Sequence, residues 1–215
     1  MSESHPLPRN PDAPRPWDAR LARYLVTPLK SGPITPNHLT TLRLGIGLAA
    51  AAAFMRGSYA GFNVGALLLI LSNFVDHADG ELARISGKSS RFGHCYDLAC
   101  DATVTILAFV AMGAGAAAAP TAVSPVILGA VAGTAITVIF FLRMRLEELG
   151  GKAASRQPAL GGFEAEDVLY LLPIVTLCGA VNPLLLAASI GAPLFAIWVA
   201  IDYRRFSVTS RSSAA

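Results

Sequence analysis

Residues 62–86 read F62-N-V-G-A-L-L-L-I-L-S-N-F-V-D76-H-A-D79-G80-E-L-A83-R84-I-S86. From Phe62 to Val75 the run carries no charge, and it then delivers two aspartates while still in helical register. A largely apolar segment of about 20 residues spans the hydrocarbon core of a bilayer as a helix. Carboxylates at the end of such a run are costly and point to a functional site. The next segment continues the pattern: after eight intervening residues Arg84 is followed by G93-x3-D97-x3-D101, leading into a second apolar run.

Outward from this pair of segments, the whole chain has the same character. Of its 215 residues 53% are apolar and only 14% charged, with a mean hydropathy of +0.53. That balance excludes a soluble domain of this size and indicates an all-α integral membrane protein of one domain. Hydropathy places six transmembrane helices at roughly 38–56, 62–86, 93–117, 123–146, 165–183 and 184–203. The last two are divided by Val181-Asn182-Pro183 or by Gly191-Ala192-Pro193, and the competing reading is five spans with a kinked last one. The stretches 113–135 and 176–200 contain no charged residue, and only Arg56 falls on the side opposite the other basic residues. This positive-inside alternation predicts a multi-pass cell-membrane protein with both termini, and the aspartates, on the cytoplasmic side.

The flanks are simpler. Residues 1–16 hold Pro6, Pro8, Pro11, Pro14 and Pro16 and predict a flexible cytoplasmic tail. Residues 17–30 place Trp17, Leu21, Tyr24 and Leu25 at helical spacing, with Arg20 and Arg23 on a more polar side. They predict a short interfacial amphipathic helix ahead of the six spans. The membrane domain then covers 17–207, and 208–215 form a C-terminal tail. No apolar signal-peptide core precedes the first span. The clustered basic residues, at a net charge of only +3, suit anionic lipid headgroups rather than nucleic acid. Cys95, Cys100 and Cys178 read as small core residues with no disulfide framework.

The aspartates define the chemistry. Asp76 and Asp79 lie three apart and Asp97 and Asp101 four apart, so each pair shares one helix face. Two such faces brought together crowd four carboxylates, which mutual repulsion would drive toward protonation unless cations neutralise them. Hard oxygen ligands suit Mg²⁺ or Mn²⁺, and two such ions can clamp a phosphate for in-line displacement. Gly80 and Ala83 remove bulk beside Asp79, leaving room for a flat group such as a base. A helix-interior glycine costs about 1 kcal/mol relative to alanine, so Gly80 needs a reason. Arg84 can pair with phosphate bidentately, and Gly93 again allows close approach. Upstream, Asn37 or Thr35 is placed to cap the first span, while Asn37, Thr40 and Arg43 share one face of it. Lys88, Arg91, Arg143 and Arg145, with Lys152 and Arg156, are candidate contacts for an anionic acceptor. Glu164, Glu166 and Asp167 suit a helix N-terminus or a polyol contact. His38, His77 and His94 read as structural.

The pattern D-x2-D-G-x2-A-R-x8-G-x3-D-x3-D, matched by Asp76, Asp79, Gly80, Ala83, Arg84, Gly93, Asp97 and Asp101, resembles the signature of the CDP-alcohol phosphotransferases. The resemblance extends over the membrane region, because that family is built of six spans after an interfacial helix. It implies a homodimer. It also implies transfer of a substituted phosphate from a CDP-alcohol, such as CDP-diacylglycerol, to a small alcohol acceptor, with release of CMP. By the same resemblance Asp76, Asp79 and Asp97 hold two metal ions with Asp101 beside them, and Asp101 is the general base. Asn37 and Thr40 join Asp79, Gly80, Ala83, Arg84 and Gly93 in binding the nucleotide. The stretches S31-G-P-I-T-P-N and S90-R-F-G are similar to a subgroup that includes inositol-phosphate-transferring synthases, and the candidate cationic contacts suit a phosphorylated acceptor such as inositol phosphate or glycerol phosphate. Two alternatives stand beside this: a soluble donor such as CDP-inositol, and a divalent-cation transporter using the same carboxylates.

Overall fold

The computed structural model describes residues 17–117, 122–150 and 169–212. Helix α1 (Trp17–Val26) ends in a 3₁₀ turn at Thr27–Leu29, where Pro28 lacks the N–H a further helical turn would need. Five long helices follow: α2 (Pro36–Met55), α3 (Tyr59–Ser86), α4 (Arg91–Gly115), α5 (Pro125–Gly150) and, after a short α6 (Leu172–Leu177), α7 (Val181–Ser212). These five are long and apolar enough to cross a membrane, and the chain is a multi-pass membrane protein. Many of their large apolar side chains, among them Leu67, Leu71, Ile190, Leu194 and Trp198, are exposed, as lipid-facing residues must be.

The helices begin and end where the sequence supplies caps. Thr35 precedes α2, and its N–H donates to His38 Nδ1 at 3.2 Å. Asn37 therefore sits inside the first turn rather than at the cap. Ser58 accepts from the Gly61 N–H at the start of α3, and Ser90 from the Gly93 N–H at the start of α4. Between the two aspartate-bearing helices, Gly87 adopts φ 68°, a left-handed conformation in which its N–H caps Ala83 O. That turn folds α3 back on α4 at the end of the bundle where the aspartates lie.

Packing fixes the rest. The main core joins α2, α3 and α4 through Ala50, Phe54, Ala66, Leu69, Val104, Ala108 and Met112, and extends to Leu172, Val181 and Leu185. Gly47 meets Val104 and Gly65 meets Phe54 so closely that a methyl group would collide, so glycine lets these helices approach closely. Helix α1 docks on α3 through Ala22 and Val26 against Ala78 and Leu82, beside the aspartates. Helix α5 packs along α4 and α7.

Two expectations need correction. A long helix over 165–183 is not present among the described residues: 169–171 form a 3₁₀ turn, α6 has six residues, and Gly179 at φ 66° ends it. Helix α7 then runs from Val181 through Pro193 to Ser212. Pro183 lies in its first turn, where no intrahelical N–H is required. Of the cysteines, all free, only Cys100 is buried; Cys95, in the first turns of α4, and Cys178, in the turn after α6, are exposed. The expected tail at 1–16 and the residues Lys152, Arg156, Glu164, Glu166 and Asp167 lie outside the described residues.

Candidate active site

Three helices converge at the Gly87 end of the bundle. Helix α3 contributes Asp76, Asp79, Gly80, Ala83 and Arg84, and α4 contributes Gly93, Asp97 and Asp101. Helix α2 contributes the face carrying Asn37, Thr40 and Arg43. Ser72 Oγ donates to Arg43 O at 2.9 Å, which fastens α3 to α2 one turn below the aspartates.

Asp76, Asp97 and Asp101 each place one carboxylate oxygen within 4.8 Å of the others'. An Mg²⁺ or Mn²⁺ ion with metal–oxygen distances of about 2.0–2.1 Å separates opposite ligands by about 4 Å, so this triangle is of the right size for one ion. Asp97 Oδ1 is buried with no hydrogen-bond partner. A buried, unsatisfied carboxylate oxygen facing two further carboxylates is a costly arrangement that a cation relieves. The donor set therefore fits a hard divalent metal. Asp79, the fourth predicted ligand, is not in this triangle. It is buried and accepts a hydrogen bond from Thr40 Oγ1 at 2.7 Å.

The remaining predicted residues fall around this centre. Gly80 opens onto free space, with no atom within 4 Å of where a Cβ would sit. At Gly93 a Cβ would come within 2.8 Å of Asn37 Oδ1, so glycine lets the first turn of α4 close on the first turn of α2. Arg84 is half exposed and pairs with Glu81, whose side chain is buried. Lys88 Nζ donates to Gly32 O at 3.0 Å. The Arg145 guanidinium lies 5.6 Å from the Phe141 ring centroid on its own helix, and Arg91 is exposed at the start of α4.

Sequence reasoning missed two residues here. Arg43 is almost fully buried and reaches all three clustered carboxylates. Its Nη1 pairs with Asp76 Oδ1 and lies 2.8 Å from Asp101 Oδ1, while Nη2 lies 3.5 Å from Asp97 Oδ1 and donates to Asp97 O at 3.1 Å. The signal was present: an arginine well inside an apolar span, on the face that carries Asn37 and Thr40, needs a partner as much as an aspartate does. Glu81 had no role assigned from the sequence, yet it is the buried partner of Arg84. No sequence signal separates it from an exposed acid.

The CDP-alcohol phosphatidyltransferase family model matches residues 33–203, most of the chain and all of the site. The chain belongs to the CDP-alcohol phosphatidyltransferase family. It is similar, at 32% identity over 158 residues, to a bifunctional IPC transferase and DIPP synthase of Rubrobacter xylanophilus. The match covers 72% of this chain and 34% of that relative, so the chain spans about a third of the relative's length. Its fold is similar to crystal structures of Mycobacterium tuberculosis phosphatidylinositol phosphate synthase (PgsA1). The structure with CDP-DAG bound has a TM-score of 0.57 at 24% identity, covering 90% of this chain and 93% of that one. The structure in complex with manganese and citrate has the same score and identity, covering 90% and 88%. The protein is thus an enzyme of this transferase family.

Proposed function

We propose that this enzyme transfers a phosphatidyl group from CDP-diacylglycerol to the hydroxyl of a small phosphorylated polyol, inositol phosphate or glycerol phosphate, releasing CMP. The observation that carries the reading is the triangle of Asp76, Asp97 and Asp101 at the mouth of a family-matched membrane bundle. The mycobacterial fold relative solved with CDP-DAG and with manganese supports the donor and the metal class.

In this reading Asp76, Asp97 and Asp101 hold the first divalent ion, and Asp79 contributes to a second. Bound there, Mg²⁺ or Mn²⁺ would neutralise pyrophosphate charge and stabilise the departing CMP. The open face at Gly80 and Ala83 receives the cytosine ring, with Asn37 and Thr40 offering hydrogen bonds and Gly93 keeping Asn37 in place. Arg84, oriented by Glu81, pairs with phosphate. The acceptor oxygen forms a bond to the phosphorus that carries the diacylglycerol. The bond from that phosphorus to the CMP oxygen breaks, and Asp101 takes the acceptor's proton. Lys88, Arg91, Arg143 and Arg145 supply the cationic surroundings for the acceptor.

The reading extends to topology. The site and both termini face the cytoplasm, which the distribution of basic residues supports, and the protein acts as a homodimer within 17–207. A soluble donor such as CDP-inositol is the second reading, favoured by the relative whose name pairs an IPC transferase with a DIPP synthase.

The test is CMP release by purified protein in detergent with Mn²⁺ or Mg²⁺ and CDP-diacylglycerol, against inositol phosphate, glycerol phosphate, inositol and serine. Release that depends on a phosphorylated acceptor supports the proposal. Release only with CDP-inositol as donor transfers it to the second reading, and no release with either donor rejects both.

A further inference from the structure

Arg43 lies against the same three carboxylates that a metal ion would use. Its Nη1 touches Asp76 Oδ1 and lies 2.8 Å from Asp101 Oδ1, with Nη2 3.5 Å from Asp97 Oδ1. These are the three carboxylates that converge within 4.8 Å. A guanidinium nitrogen bridging Asp76 and Asp101 and an ion bound by the same oxygens cannot be present together. Three carboxylates this close repel one another strongly when nothing cationic lies between them. We propose that Arg43 is a built-in stand-in cation: it holds the carboxylate cluster together in the metal-free protein and is displaced when a divalent ion binds, so that it sets the metal affinity of the site.

The surroundings suit a side chain that leaves while its backbone stays. The Arg43 main chain is fixed by the Ser72 hydroxyl on its carbonyl, so helix α2 need not move. Arg43 Nε is buried with no hydrogen-bond partner, so the guanidinium is held by its two terminal nitrogens alone. A fully satisfied arginine would resist exchange, and this one is short of a bond in the position it holds. Asp97 Oδ1 likewise gains only a 3.5 Å approach and no hydrogen bond from the arginine, and a bound ion would meet it directly. The arrangement lets the bundle form before metal is loaded and makes loading an exchange of one cation for another.

The inference rests on the metal-site reading above, and the experiment separates the two. Full-length protein in detergent is stripped with EDTA, and Mn²⁺ binding is followed by the electron paramagnetic resonance signal of free Mn²⁺. Thermal unfolding is measured with EDTA and with saturating Mn²⁺. Arg43→Met removes the competing charge at similar length. It is expected to bind Mn²⁺ about tenfold or more tighter than wild type, the scale of coupling between close charges. It is also expected to unfold at a lower temperature than wild type in EDTA, with Mn²⁺ closing the gap. Arg43→Gln carries the same expectation and serves if the methionine variant does not fold. Affinity within about twofold of wild type, or weaker, overturns the inference while leaving the metal site in place. So does a stability gap that Mn²⁺ does not narrow. Absence of Mn²⁺ binding by wild type overturns the metal-site reading and the inference with it.

Discussion

Gly80→Ala separates what glycine does for the fold from what it does for the reaction. Gly80 lies inside α3, in the same turn as Asp79. Nothing lies within 4 Å of the position an alanine Cβ would take, so the substitution creates no clash. Its backbone is not among the positive-φ glycines, so alanine introduces no strain. Alanine in a helix interior is favoured over glycine by about 1 kcal/mol, and for a chain of this length that raises Tm by about 2–4 °C. If the cytosine ring lies against this bare face, the same methyl group sits where the ring must go. The expected result is an enzyme more stable than wild type that has lost most of its CMP release, with the loss in donor binding. The assay pairs thermal unfolding in detergent, without donor, with donor titration by calorimetry. A variant that is stabilised and binds CDP-diacylglycerol normally would refute placing the nucleotide at Gly80. A destabilised variant would refute the open face itself.

Thr40→Val removes a buried hydroxyl at constant shape and leaves Asp79 Oδ2 without its 2.7 Å donor. A hydrogen bond to a charged group contributes about 1.5–3 kcal/mol, so unfolding in EDTA should fall by about 3–12 °C. Thr40→Ser should restore most of it, and equal loss in both variants would count against the bond. At Gly93→Ala the clash is with the end of the Asn37 side chain, which can turn aside. Stability should change by about 1 kcal/mol or less while the KM for the CDP donor rises, and an unchanged KM would remove Asn37 from the nucleotide site. Asp101→Asn should keep the fold but abolish transfer, because an amide cannot take the acceptor's proton. Substantial turnover in a single-turnover assay would reject Asp101 as the base.

The membrane class, the bundle of long helices and the aspartate faces were all legible in residues 62–101, because helical register is a local property. A spacing of three or four puts two side chains on one face whatever the helix later packs against. The same logic made Gly80 and Gly93 stand out as positions where bulk is absent. What could not be read locally is the choice of partners across helices. Asp79 shares a face with Asp76, yet it turns to Thr40 on α2 and leaves the triangle to Asp76, Asp97 and Asp101. Glu81 is buried with Arg84 although nothing near it in sequence distinguishes it from a solvated acid.

Hydropathy also overreached at 165–183. An apolar run is a necessary condition for a spanning helix, but Gly179 in a left-handed conformation and the 3₁₀ turn at 169–171 confine α6 to six residues. By itself, the sequence determined that this protein is a helical membrane protein with two pairs of carboxylates, each pair on one helix face. The tertiary structure decided that three of those carboxylates meet around Arg43. Which side chains fill a space between helices depends on how the helices rotate and how closely glycine lets them approach, and that is settled only when they pack.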